Sequence, residues 1–462
     1  MVVFIGVNMN KCFLLGFLCL ISVSAIAENV HKWTWLESEN VLTNDNGWAF
    51  HTQGTPEELV ITGVKARPET QQDADFRTVF ADTKCTLVSI KSSLFAHSAV
   101  IGAIGIPACT TNLPVQFLAW SYCTNFIVDP EWRGEEIPTQ MTAGAKNNAY
   151  TEFPLHEGLK KIGSQAFGGV YYEGNADKIL VIPASVEEIG GSAFSGCNYT
   201  SVVFAAGSKL KRIESATFAH NAGHVGKIEF PASVEYIGYQ AFGWARNLEE
   251  IVFPEDSNLK EIGSQAFTYV DSVKKPLILP SKLEIIGDQA FSSANITGKL
   301  VIPASVRRIG NSAFNSNGGM TEIIFMEGCT NIGSSVFTRA TSVTNIVFPK
   351  SLQYVGGGAM FGNDGWSNMR KGNIYWQSCP EFGMSTNLFY MCNRINNKES
   401  DEMTITNHLC TAKWIKFAED YTENYGYTFE IPEKRKQVGV WFSGKNEAVV
   451  AGWILPTLIT IR

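Results

Sequence analysis

Residues 182–197 read IPASVEEIGGSAFSGC. Residues 230–245 read FPASVEYIGYQAFGWA, and residues 302–317 read IPASVRRIGNSAFNSN. Three near-copies mean that one local structure is made repeatedly, and their register fixes what it is. Anchored on the phenylalanine that closes the copied unit, the series runs Phe167, Phe194, Phe218, Phe242, Phe267, Phe291, Phe314, Phe337 and Phe361. The successive spacings are 27, 24, 24, 25, 24, 23, 23 and 24. A period in the twenties predicts a solenoid with one strand-and-turn unit per coil.

Each column of the repeat has a physical reading. Eight residues before the phenylalanine stands an aliphatic residue (Leu159, Val186, Leu210, Val234, Leu259, Leu283, Val306), and five before stands isoleucine (Ile162 through Ile332). Four before is usually glycine, as at Gly163, Gly190, Gly238, Gly263, Gly287, Gly310 and Gly333. This column is expected to supply a tight turn with a permissive backbone. One before is mostly alanine, small enough for neighbouring coils to close. Three after is small or apolar at Val170, Cys197, Ala245, Val270, Ala294 and Ala340. The phenylalanines are expected to stack as a ladder through the core.

Short apolar runs precede these turns: ILVI before Pro183, KIEF before Pro231, EIVF before Pro254, PLIL before Pro280, KLVI before Pro303 and NIVF before Pro349. SVVF at 201–204 and EIIF at 322–325 take the same place without proline. Proline ends such strands because it has no N–H for the ladder. Stacked one per coil, they predict a long parallel sheet.

The columns, in LKKIGSQAF, VEEIGGSAFSGC and LEIIGDQAF, resemble the BspA-like leucine-rich repeat. The resemblance covers about residues 155–362. It implies a β-rich leucine-rich repeat solenoid and an exported or surface protein of the kind found in bacteria and some protozoan parasites, several of them linked to adhesion. CTLVSIKSSLFAHS at 85–98 reads as a further degenerate unit, because Phe95 lies three full periods before Phe167. The array is therefore expected over 85–362, regular from 155, with a β-rich N-terminal cap at 28–84 and a C-terminal cap or small α+β domain at 363–462. In that last segment TAKWIKFAEDYTENY places Trp414, Phe417 and Tyr421 at helical spacing.

Residues 1–27 read as a secretory signal: Lys11, an apolar run from Cys12 to Val23, and Ala25-Ile26-Ala27 before the cut. No other stretch is expected to span a membrane, and the C-terminal AVVAGWILPTLITIR reads as strand material broken by Pro456. Ten cysteines fall to eight after cleavage, in no metal-ligand spacing. Cys85, Cys109 and Cys123 precede the regular repeats and Cys379, Cys392 and Cys410 follow them, so pairing within each group is expected. A net charge of −7 with no basic run argues against a general nucleic-acid binder.

No catalytic constellation is present: GxSxG, HExxH and a P-loop are all missing from the sequence. VGGGAMFG at 355–362 reads as a repeat turn with one extra residue. His220 and His224 are four apart but straddle Ala222-Gly223, which reads as a solvated loop. Cys197 and Cys329 fall in buried columns and read as packing residues. Asn198 and Asn295 head glycosylation sequons. No cofactor or metal is implied, and the chain does not read as an enzyme.

One surface pattern points to binding. In each strand the residue two before the proline position should face outward. Those residues are Val181, Val203, Glu229, Val252, Ile278, Val301, Ile324 and Val347, and seven of the eight are apolar and β-branched. An apolar stripe on a sheet is expected to contact a protein or a cell-surface or matrix ligand. By contrast the paired residues of L-x-x-I read KK, EE, KR, EY, KE and RR, an ordinary solvated surface. Two alternatives place the activity in a flank: a secreted hydrolase, or a carbohydrate-binding module using Trp366 and Trp376.

Overall fold

The computed structural model describes residues 32–97, 101–111, 113–144, 154–169, 179–197, 199–221, 223 and 226–356, and beyond these the strands Lys371–Trp376, Glu381–Phe382, Glu402–Asn407, Thr428–Glu430, Gly439–Ser443, Glu447–Ala451 and Thr457–Ile461. The signal segment, Phe361, the 412–425 stretch, Trp366, His224, Cys379, Cys392 and Cys410 lie outside the described residues.

The repeats stack as a parallel solenoid. Three coil-to-coil ladders run along the array, the third of them interrupted. The first is a two-residue strand ending on the isoleucine column, as in Lys161–Ile162 and Glu188–Ile189. These short strands form an eleven-stranded sheet from Glu136–Ile137 to Glu381–Phe382, and Ile162, Ile189, Ile213, Ile237 and Ile262 follow one another in register. The second ladder is the phenylalanine turn: Phe167 N–H donates to the Ala193 carbonyl at 2.9 Å, Phe194 to Thr217 at 2.9 Å and Phe218 to Ala241 at 2.8 Å. The third is the longer strand before each proline.

The core columns do what their residue types require. The isoleucine column and the phenylalanine column from Phe167 to Phe337 are buried. The rings form a stack with centroids 5.2–5.8 Å apart and planes within 21°. Two residues before and two after each phenylalanine the backbone is left-handed, as at Gln240 (φ 53°) and Trp244 (φ 60°). The same pair recurs at Ser93/His97, Gln116/Trp120 and Gln140/Gly144, so Phe95, Leu118 and Thr142 occupy the phenylalanine position in three irregular coils.

The glycine column acts differently from the expectation. None of Gly163, Gly190, Gly238, Gly263, Gly287, Gly310 and Gly333 has a positive φ; the left-handed positions are filled mainly by Gln, Ser and aromatic residues. A Cβ on Gly163 would lie 2.4 Å from the Thr139 nitrogen, and one on Gly287 would lie 2.5 Å from the Ser264 nitrogen. At these glycines the backbone of the preceding coil passes within clashing distance of an added Cβ, and among the coils from Phe167 to Phe337 only in that of Phe218 does a side chain, Glu214, take the place.

The long strands also depart from one continuous sheet. Ile179–Ile182 pairs with Ser201–Phe204, and Gly226–Glu229 pairs with Leu248–Val252. A six-stranded sheet then runs from Thr297–Ile302 through Gly319–Phe325, Asn345–Phe348, Lys371–Trp376 and Glu402–Asn407 to an antiparallel Thr457–Ile461. The PLIL segment forms no strand: Pro276 has no N–H to donate, although Leu277 and Leu279 are still buried. The other cause is arc length. The inward residues that close the strands are Ile182, Phe204, Phe230, Phe253, Leu279, Ile302, Phe325 and Phe348, at successive spacings of 22, 26, 23, 26, 23, 23 and 23. The ladder is interrupted at both of the longest steps.

Before the repeats, strands Trp33–Leu36, Val41–Asn44, Ala49–Thr55 and Glu58–Ala66 form an antiparallel sheet, and Leu87–Ile90 joins its edge in parallel. Buried Trp33, Trp48, Phe50 and Phe76 pack together, and Trp48 meets Phe95 edge-on at 5.5 Å. This aromatic cluster packs against Phe95 of the first irregular coil. The disulfide pairing expected in this region does not form. Cys85 and Cys109 are free thiols whose sulfurs contact the Thr83 and Leu87 carbonyls.

Candidate functional site

The solenoid offers three outer faces, one per ladder, and they differ in chemistry. On the strand face the outward row falls where the alternation of a strand puts it. Its members stand side by side: Val181 beside Val203, Glu229 beside Val252, Val301 beside Ile324 and Ile324 beside Val347. The residues flanking each in sequence point inward and are buried, with Phe204 the exception at half-buried. Within the six-stranded sheet Val301, Ile324 and Val347 are half-buried, as is Val252. The row stands proudest at Val181 (48% exposed) and Val203 (45%), on the first pair of long strands, and at Ile278 (75%), on the segment that forms no strand.

Between Ser201–Phe204 and Gly226–Glu229 the strands do not pair with each other, and the Phe204 and Phe230 rings are 6.4 Å apart, against 5.1 Å for Phe230 and Phe253. A half-open cleft of about 660 Å³ lies there, lined by 201–208, Lys227 and 229–233. Its one acid, Glu229, is 2.8 Å from the Lys227 ammonium, which is held more basic than usual by that bond. Farther along, Asn345 and Lys299 donate to Glu322 and hold its carboxyl below the usual carboxylate range.

The second face is the short-strand sheet. Its L-x-x-I pairs are the solvated surface expected from their mixed residues, and read from coil to coil they also carry an ordered charge row. Glu135, Lys160, Glu187, Lys211, Glu235, Lys260, Glu284 and Arg307 alternate in sign over eight coils. Lys160 reaches Glu135 at 2.7 Å and Lys260 reaches Glu235 at 2.9 Å. The Lys260 bond draws the Glu235 carboxyl below its ordinary value, and Glu235 raises Lys260. Arg212 lies 4.0 Å over the Tyr236 ring. These contacts link neighbouring coils at the surface; their signal in sequence was the alternation of sign between coils, invisible within one.

The third face is the phenylalanine turn. Its left-handed positions carry a glutamine ladder, Gln240 to Gln265 at 2.6 Å and Gln265 to Gln289 at 2.8 Å, with an earlier run from Gln116 through Gln140 to Gln165. It also carries a stack of His220 on Trp244 (4.9 Å, 13°) and Trp244 on Tyr269 (5.7 Å, 23°). His220 thus belongs to an aromatic row, and no group of three metal-ligating side chains occurs among the described residues. Reading every residue two beyond a phenylalanine would have found this row.

The column three beyond phenylalanine is more than packing. Cys197 Sγ, Asn221 Nδ2 and Asn317 Nδ2 donate to the carbonyls of Phe167, Phe194 and Phe291 at 2.9, 3.0 and 2.8 Å. Buried main-chain carbonyls need such donors. Cys329 is buried, and burial pushes its thiol up to about 12. Asn295 is exposed with φ 55°; Asn198 lies outside the described residues. No helix among the described residues is long and apolar enough to cross a membrane.

A family model described as the BspA type leucine rich repeat region matches in six copies over residues 160–277 and 260–396. Solved structures of similar fold include a leucine-rich repeat protein from Bacteroides ovatus, at 16% identity over 78% of this chain and 98% of that one, with a TM-score of 0.43. A leucine rich cell surface protein from Faecalibacterium prausnitzii matches at 17% identity over 73% of this chain and 88% of that one, with a TM-score of 0.37. The pneumococcal vaccine antigen PcpA matches at 18% identity over 75% and 78%, with a TM-score of 0.34. No curated protein sequence matches significantly.

Proposed function

Since the chain belongs to the BspA type leucine-rich repeat family, whose model spans more than half of it, we propose that it is an exported or cell-surface binding protein that engages a protein or matrix ligand through its strand face. In this reading residues 1–27 direct export, 28–84 cap the array, 85–362 form it and 363–462 close its other end. The observation that carries the reading is the outward row: Val181, Val203 and Ile278 expose apolar β-branched side chains on a face built from parallel main chain. Apolar side chains that the fold itself leaves uncovered, paired at Val181 and Val203 and set apart at Ile278, are most simply explained by a partner. The cleft beside Val203 admits a partner side chain as far as Phe204, and the Lys227–Glu229 pair at its rim supplies polar contacts. Its lining offers a single acid already paired with a lysine, which suits recognition better than acid–base chemistry.

The test compares the full chain with a Val181→Thr, Val203→Thr, Ile278→Thr variant. Threonine keeps the β-branched shape, and the three positions are exposed, so folding by circular dichroism should be unchanged. Binding to cell surfaces and to a panel of matrix proteins should be lost in the variant. Equal binding by both proteins would remove the strand face from the function.

A further inference from the structure

From the phenylalanine-turn face we infer a second binding surface, for a neutral glycan, centred on Tyr269 at the end of the His220–Trp244–Tyr269 stack. It is independent of the strand face, because it is built on a different ladder of the coil.

Three observations carry it. First, the face is almost uncharged. Over the coils from Phe167 to Phe337 the three positions that the turn presents (three before, two before and two after phenylalanine) are filled mainly by serine, glutamine, glycine and aromatic residues. Their formal charges are Asp288 and Arg339 alone. The neighbouring short-strand face alternates full charges in every coil from Glu135 to Arg307. A face so sorted has no complement for an anionic polymer or a charged protein patch, but it matches a ligand whose polar groups are hydroxyls.

Second, the amides are ordered. Gln240, Gln265 and Gln289 are bonded in series at 2.6 and 2.8 Å, so the internal amide of Gln265 uses one N–H and one carbonyl position on its neighbours. It keeps a second N–H and a second lone pair for solvent. A hydroxyl is both donor and acceptor, and a row of such pre-aligned pairs satisfies successive hydroxyls without ordering flexible side chains at the moment of binding.

Third, the aromatic stack ends on open ring faces. The rings of His220, Trp244 and Tyr269 cover one another in sequence. The next position in the row beyond Tyr269 is Ser293, and the one before His220 is Gly196, so the row itself places no further ring over either end. Tyr269 is 47% exposed, and Tyr239, in the same coil as Trp244, is 45% exposed. The face of an aromatic ring is electron-rich and attracts the polarised C–H edge of a pyranose, while the hydroxyls around that edge reach the flanking amides.

The probes are cellohexaose, laminarihexaose and mannohexaose, with heparin as the charged counter-probe, each titrated calorimetrically into the full chain. At least one neutral oligosaccharide should bind, and Tyr269→Ala and Gln265→Ala should each weaken it about tenfold. The strand-face triple variant should bind it as the parent does. Trp244 is half-buried and its removal would loosen its coil, so exposed Tyr269 is the position on which the result rests. No heat from any of the three neutral probes, binding unaffected by Tyr269→Ala, or heparin binding tighter than all three would each overturn the assignment.

Discussion

Two arcs of the same coil behave in opposite ways. From the isoleucine to the phenylalanine the chain takes five residues in every coil from Ile162–Phe167 to Ile332–Phe337. From the phenylalanine to the inward residue that closes the long strand, the count varies between 10 (Phe194 to Phe204) and 15 (Phe167 to Ile182). The constant arc carries the unbroken eleven-stranded sheet, the ring stack and the turn ladder. The variable arc carries a sheet interrupted twice, a cleft and the most exposed apolar residues. A solenoid needs one arc of fixed length to keep its coils in register. Once that is secured, the rest of the coil is free to vary, and the proposed binding surface lies there.

The largest test of this contrast removes one ring from each arc. Phe291 is fully buried between two stacked rings, and Phe291→Ala should cost about 3–5 kcal/mol in chemical denaturation. Phe204, half-buried at the opened sheet, should lose less than half as much on the same substitution. Equal losses would end the distinction. Next come the glycines. Gly287→Ala drives a Cβ to within 2.5 Å of main chain in the preceding coil and should cost about 2–3 kcal/mol. Gly207 has φ 78° but nothing within 4 Å of a new Cβ, so Gly207→Ala should cost only the left-handed penalty, about 1 kcal/mol.

Thiol chemistry sharpens the contrast further. Buried Cys329 should resist alkylation in the native protein at pH 8, while exposed Cys109 reacts. The Cys329 thiol is raised in the folded state from an ordinary 9.0 to about 12. The folded protein therefore holds that proton more tightly. The stability linked to it is complete below pH 9 and is lost as pH rises toward 12. Cys329→Ala should remove that part of the alkaline slope. The smallest effect belongs to the charge row. Lys260→Glu would put a carboxylate between those of Glu235 and Glu284, and should lower the melting temperature slightly at low salt and not at high salt. Glu235 is lowered in the folded state, so its contribution is present above the ordinary carboxylate range and fades as pH falls through its folded value.

The solenoid and its buried columns were legible because burial repeats the same residue type at the same phase. The outward direction of the Val181-to-Val347 row was legible for the same reason, since a strand alternates. What escaped were properties that live between coils. The glycine column marks a close approach by the neighbouring backbone, a distance that no single repeat contains. The charge ladder and the His220–Trp244–Tyr269 stack emerge only when one column is read down the array. The interruptions were written in the two long steps, Phe204 to Phe230 and Phe253 to Leu279, and in Pro276. The phenylalanine anchor hides them, because insertions before and after the strand add into one period.

Hydrogen exchange on the full chain, alone and with a bound matrix protein, tests the division of labour between the arcs most directly. Amides of the short-strand sheet and the phenylalanine turns should exchange last and together, with 201–208, 227–233 and 276–279 opening earlier. The partner should then slow exchange at 201–208 and 227–233 and leave the short-strand sheet unchanged. Uniform exchange through both arcs, or protection gained on the charged sheet in place of the strand face, would contradict it.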